Sequence, residues 1–199
     1  MKKTLLLAGV ATCLFAMNAN AMDFRPYIEG KISQNWLKAE YKEDGFGKET
    51  FKDNVFGGSL EIGAKLDQFR IGLEGYYNDD LKDNLLNVVP VKAETKGAFL
   101  NAYYDLPLTE KQIKPYIGAG IGYSWLKETA DMTGLGLGKA TGKDKDFGWN
   151  VGLGVAYEIN NNVDLTVGYR YEDLGRIKET GNKTDFTNHK IFLGLRYNF

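Results

Sequence analysis

The chain is short of the residues that usually do chemistry near neutral pH. It has one cysteine, Cys13, and one histidine, His189. A single thiol close to the N-terminus cannot staple a fold, and without a His/Cys cluster a zinc centre is excluded. Long apolar runs are equally scarce. The run from Leu5 to Ala16 is too short for a convincing membrane-spanning helix. It follows Lys2 and Lys3 and precedes Ala19-Asn20-Ala21, which together read as a secretory signal peptide with Ala19 and Ala21 as the small residues of the cleavage site. The expected division is therefore a signal peptide of residues 1–21 and a single domain of residues 22–199. Cys13 leaves with the leader. Thr12 before it is larger than a lipoprotein signal usually accepts, so lipidation is not expected.

Excess charge of either sign is also missing. Basic residues number 25 and acidic ones 26, and loss of Lys2 and Lys3 leaves 23 against 26, a net charge of −3. No basic patch stands out, so nucleic acid is not a partner. No later stretch is apolar enough for a spanning helix, and backbone hydrogen bonding leaves the closed barrel as the only other way across a bilayer.

What the chain does have is alternation. After Ala21 the apolar signal recurs every second residue in eight runs, the mark of strands with two unlike faces. Ile28, Gly30, Ile32 and Trp36 oppose Glu29, Lys31 and Ser33; Leu60, Ile62 and Ala64 oppose Glu61 and Lys65; Ile71, Leu73 and Tyr77 oppose Arg70 and Glu74. Five further runs follow over residues 98–105, 117–125, 147–158, 163–171 and 190–199. Phe99 and Phe192 fall on the charged face and break the pattern. The connections alternate too. Asp67-Gln68, about Pro107 to Ile113, and Asn160 to Asn162 are short, whereas Lys38–Asp53, Asn78–Val91, Lys127–Lys145 and Asp173–Thr187 are long and polar, and are expected to be loops.

Alternation alone leaves a soluble, lipocalin-like barrel standing. Three features turn the charged face inward. Gly118, Gly120, Gly122, Gly152, Gly154, Gly168 and Gly194 share that face, where they are expected to make room for long charged side chains. Aromatic residues gather at both rims of the apolar face, with Trp36, Tyr77, Trp125, Trp149 and Tyr171 at the long-loop end and Tyr104 and Tyr157 at the short-turn end. Two such belts are what two membrane–water interfaces select. The inner face mixes signs: Glu29, Lys31, Glu61, Lys65, Arg70, Glu74, Arg170 and Arg196 form an expected lumen charge network whose members can pair. The expected fold is an all-β, eight-stranded antiparallel up-and-down transmembrane β-barrel.

Pro115-Tyr116-Ile117-Gly118-Ala119-Gly120-Ile121-Gly122-Tyr123, Tyr169-Arg170-Tyr171 and Leu193-Gly194-Leu195-Arg196-Tyr197-Asn198-Phe199 resemble the small outer-membrane barrels of Gram-negative bacteria, the OmpA-barrel, OmpX and Opa-like surface-antigen group. The resemblance implies residence in the bacterial outer membrane, with outer-membrane lipid and lipopolysaccharide as surroundings. It also implies that Leu195, Tyr197 and Phe199 form the C-terminal signal read by the barrel-assembly machinery. Members of the group act as adhesins, surface antigens and envelope stabilisers, so a structural and surface-interaction role is expected, with loops meeting host or extracellular ligands.

Other chemistry finds little support. Lipid A enzymes on similar barrels pair a His with a Ser, but Thr187, Asn188 and Lys190 surround His189, and it is expected to be an interfacial residue. Gly134 to Lys139 fails as a phosphate loop because Thr133 and Ala140 occupy its defining positions. No cofactor or metal is expected. A lipid A-modifying enzyme built around His189 and a narrow channel stay open as alternatives, although an eight-stranded lumen is just wide enough for side chains to fill.

Overall fold

A computed structural model describes residues 24–43, 46–85, 89–107, 112–131, 139–179 and 182–199. The expected signal peptide with Ala19 and Ala21, and the glycine-rich stretch 134–138, lie outside the described residues.

Eight antiparallel strands follow one another around a closed barrel: β1 (Phe24–Glu43), β2 (Phe46–Leu66), β3 (Phe69–Leu85), β4 (Val89–Asp105), β5 (Ile113–Asp131), β6 (Lys139–Asn160), β7 (Val163–Glu179) and β8 (Asn182–Asn198). Closure is made by β8 pairing with β1, from Tyr27 opposite Asn198 to Glu43 opposite Asn182. The register fixes the stagger of the barrel. A row of facing residues leaves β1 at Pro26, runs through Ala64, Ile71, Ala102, Ala119, Val151, Tyr171 and His189, and returns to β1 at Trp36, ten residues further on. With eight strands this shear goes with a tilt of about 40°. Ten tilted residues then climb about 25 Å, the height of an outer-membrane apolar band.

The turns at one end are tight. Asp67 takes a left-handed backbone (φ 53°) in the two-residue turn Asp67-Gln68, a conformation its short polar side chain tolerates. At the other end the expectation of long loops is corrected. The four polar stretches are largely strand, with Glu43 still opposite Phe46, Leu85 opposite Val89, Asp131 opposite Lys139 and Glu179 opposite Asn182. Sequence periodicity reports a contrast between two faces, and that contrast vanishes where both faces are wet. Pairing continues there because the backbone groups still need partners. A bulge at Gly175 (φ 97°) interrupts the β7–β8 ladder, and Leu174 beside it is buried.

Candidate functional site: a filled lumen and a belted wall

Burial is inverted relative to a soluble protein. Ile32, Leu60, Leu100, Ile121, Leu153, Val167 and Leu195 are exposed on the outer wall, whereas Glu29, Glu61, Arg70, Glu74, Arg170 and Arg196 are buried inside it. An enclosed charge is tolerable mainly when it is paired and hydrogen-bonded, and the lumen shows how this is done.

At mid-height Glu61 and Glu74 form the hub. Glu61 accepts hydrogen bonds from the Tyr27 hydroxyl at 2.5 Å, Lys31 Nζ at 2.7 Å and the Tyr103 hydroxyl at 2.7 Å. Glu74 accepts from Arg170 Nη1 at 2.9 Å, Asn101 Nδ2 at 3.0 Å and Lys31 Nζ at 3.2 Å. Toward the long-hairpin end Glu172 takes Lys190 at 2.7 Å and Asn188 at 2.8 Å. Toward the turns Asp105 pairs with Lys65 at 2.6 Å and Arg70 at 2.9 Å, and Asp164 accepts from Arg196 Nη2 at 2.8 Å. Glu29 accepts the Thr166 hydroxyl at 2.6 Å. Lys114 and Glu158 pair at the same end.

Rings and aliphatic groups separate these layers. Leu37, Val55, Tyr76, Phe99 and Leu174 make a buried apolar cluster in the upper lumen, and Tyr103, Tyr116, Ala156 and Phe192 make a second one lower down. The Arg70 guanidinium lies 4.6 Å from the centres of both the Tyr103 and Tyr116 rings. This explains the two residues that broke the alternation: Phe99 and Phe192 are packing units of the lumen. It also corrects the role expected of the inner glycines. Most of them seat rings rather than charged chains. Tyr116 lies where a side chain on Gly154 would be, Phe192 over Gly168 and Tyr103 over Gly118, while Gly152 does lie against Arg170. Among the described residues the bore is thus occupied from end to end.

Asn35, Asn188 and Glu172 were not singled out in the sequence, whereas alternation already puts Asn101, Asn150 and Thr166 on the charged face. All of these are buried in the lumen, and Asn150 Nδ2 bonds Asn101 Oδ1 at 3.0 Å. Their signal was phase alone, since each lies an even number of residues along its strand from a residue assigned to the inner face.

On the outer wall, Trp36, Tyr77, Trp125 and Trp149 are exposed at the long-hairpin end, and Tyr171 packs 5.6 Å from Trp149, centre to centre. At the other end Tyr157 is exposed and Tyr104 packs against Phe69 with the rings tilted and 5.0 Å apart, centre to centre. Leu195 and Tyr197 are exposed on β8 and Phe199 just beyond its end, the last two rings 5.0 Å apart. His189 belongs to the upper belt: its Nδ1 bonds the Tyr169 hydroxyl at 2.6 Å and its ring lies 5.2 Å from Tyr171. The chain's serines, Ser33, Ser59 and Ser124, lie on the lumen face, so the barrel wall separates them from His189. A Ser–His pair of the kind a deacylase uses is not formed.

A closed eight-stranded wall, apolar and ringed by aromatics outside and ionic within, defines a membrane β-barrel. The profile of the outer membrane protein beta-barrel domain matches residues 5–199, and the chain belongs to that family. It is similar to the opacity proteins of Neisseria gonorrhoeae: 32% identical to opA57 over 180 residues, covering 71% of this chain and 74% of that protein, and 31% identical to opA67 over 176 residues, covering 71% and 73%. The match to opA66, at 33%, spans half of each chain. Among solved structures, Neisserial surface protein A shares the fold with a TM-score of 0.60 at 22% identity, over 87% of this chain and 97% of that one. OprG of Pseudomonas aeruginosa does so with a TM-score of 0.59 at 17% identity, over 88% and 96%. This is a bacterial outer-membrane barrel related to opacity surface proteins.

Proposed function

We propose that the protein is a surface-interaction scaffold of the adhesin or surface-antigen kind. The leader of residues 1–21 directs export and is cut after Ala21; Leu195, Tyr197 and Phe199 then present the final strand to the barrel-assembly machinery. The mature barrel holds four hairpins above the outer leaflet, and their tips meet a host or extracellular ligand. The observation that carries this reading is the continuation of every strand well past the upper aromatic belt. Paired strands form a stiff stalk, and a stiff scaffold is what loop-borne recognition requires. The similarity to opacity proteins supports it.

The test is adhesion of cells displaying the chain. Replacing residues 86–88 and 132–138 by Gly-Ser segments of equal length is expected to reduce binding to epithelial cells or matrix to that of the empty vector. Binding that is undiminished, with the barrel still folded, contradicts the reading.

A further inference from the structure

The outer wall is not uniform. Most of it is studded with Leu, Ile, Val and rings, but the sector from β2 to β5 has a groove of about 760 Å³ whose lining includes Gly58, Leu60, Gly75, Tyr77, Lys96 and Trp125. Its floor is bare backbone. A side chain added at Gly75 would meet nothing within 4 Å, and one at Gly58 would meet only the Lys31 carbonyl oxygen at 3.6 Å. Glycine weakens a strand, and here it is not needed to seat a neighbour, unlike the inner glycines. Gly30 is a third outward glycine with open space around it, and it faces Leu60, which in turn faces Gly75.

The upper end of this groove is cationic. Lys96 faces Tyr77 on one side and Trp125 on the other, at the level of the aromatic belt, and its side chain is 56% exposed. Lys127 and Lys145 stand on the same outer face one strand and two strands along; Lys145 Nζ lies 4.4 Å over the Tyr123 ring and 5.6 Å over that of Trp125. Among the described residues the acids nearby are Glu94, which takes Lys96 at 3.3 Å and Lys127 at 3.9 Å, and Asp79, two residues beyond Tyr77 on β3. Over those described residues three lysines stand against two acids. A second outer groove, of about 410 Å³, is lined by Ile71, Leu100, Ala119, Ile121 and Trp149 with no charged residue. Apolar floor and cationic rim coincide in the first groove and not in the second.

We propose that this sector is a binding site for a phosphate-bearing lipid of the outer leaflet, lipopolysaccharide: one acyl chain lies along the Gly58–Gly75 floor, and a glucosamine phosphate rests on Lys96 with Lys127 and Lys145 beside it. The chemistry is complementary at both ends. The floor descends from the belt into the hydrocarbon, where a chain fills it, and the lysines stand at the depth where lipid phosphates lie. The site depends on the chain being an outer-membrane barrel and not on what the hairpin tips bind.

The experiment uses the mature chain in nanodiscs containing lipopolysaccharide, with retained lipid counted by native mass spectrometry and folding checked by heat-modifiable gel mobility. Lys96→Gln and Gly75→Val should each lower retention about fivefold, whereas Lys96→Arg and the second-groove control Ala119→Val should leave it unchanged. Gly75→Val adds its methyl groups to open space, so the barrel should survive it. Enzymatically dephosphorylated lipopolysaccharide should be held equally by wild type and Lys96→Gln. Full retention by both variants overturns the proposal. Full retention by Gly75→Val alone overturns the acyl groove, and equal retention of phosphorylated and dephosphorylated lipid by wild type overturns the phosphate contact. Swapping the hairpin tips should not change retention, which separates this test from that of the adhesive role.

Discussion

Phe99 and Leu100 are neighbours on β4, yet they live in different solvents. Phe99 is fully buried and stacks at 5.5 Å on Tyr76 inside the barrel, while Leu100 is 48% exposed on the outer wall. One face must be solved as a packing problem with fixed partners, and the other must only be apolar, because lipid conforms to whatever shape it meets. The inner face therefore carries specificity and the outer face carries solubility in the membrane.

The contrast can be broken most severely at the lumen hub. Glu61→Ala strips Lys31, Tyr27 and Tyr103 of their common acceptor and leaves a buried cation poorly matched, so it is expected to cost about 3–5 kcal/mol in urea unfolding from bilayers. Phe99→Ala opens a cavity in the upper cluster and should cost about 3–5 kcal/mol by the same measurement. On the outer face Leu100→Arg places a charge in the apolar band and should cost about 2–4 kcal/mol. Gly154→Val is smaller: its side chain would collide with the Tyr116 ring, and overpacking of this kind costs about 1–3 kcal/mol, read as a lowered temperature for the gel-mobility shift. Smallest of all, Leu100→Met should move stability by less than about 0.5 kcal/mol, since lipid leaves no cavity to charge for. If Phe99→Ala proved as mild as Leu100→Met, the inner face would not be a packed core.

The fold was legible because eight runs alternate and the two faces differ in kind. Orientation was legible because glycine and mixed charge shared one face while rings sat at both rims of the other. What escaped has physical reasons. Lys38–Glu43 and Lys139–Lys145 carry no apolar alternation in the sequence to read, although the ladder persists through them. Which acid meets which base depends on barrel stagger, so the pairing of Arg170 on β7 with Glu74 on β3 is invisible along the chain. Asn188 looked like an ordinary polar residue and is part of the lumen network. Phe99 and Phe192 looked like errors in the pattern because a lumen was imagined as wholly ionic, when rings are what close it.

The central claim is that the apolar face meets lipid and the charged face is sealed within. Residues 22–199 contain no cysteine, so in that stretch of chain single spin labels can be walked along β7 from Val163 to Tyr169 in bilayers. Collision with oxygen, which concentrates in lipid, should peak at Leu165 and Val167 and fall at Asp164 and Thr166, with the inner positions shielded from a water-soluble nickel reagent as well. Equal oxygen access on both faces, or free nickel access at Asp164 and Thr166, would contradict a sealed barrel.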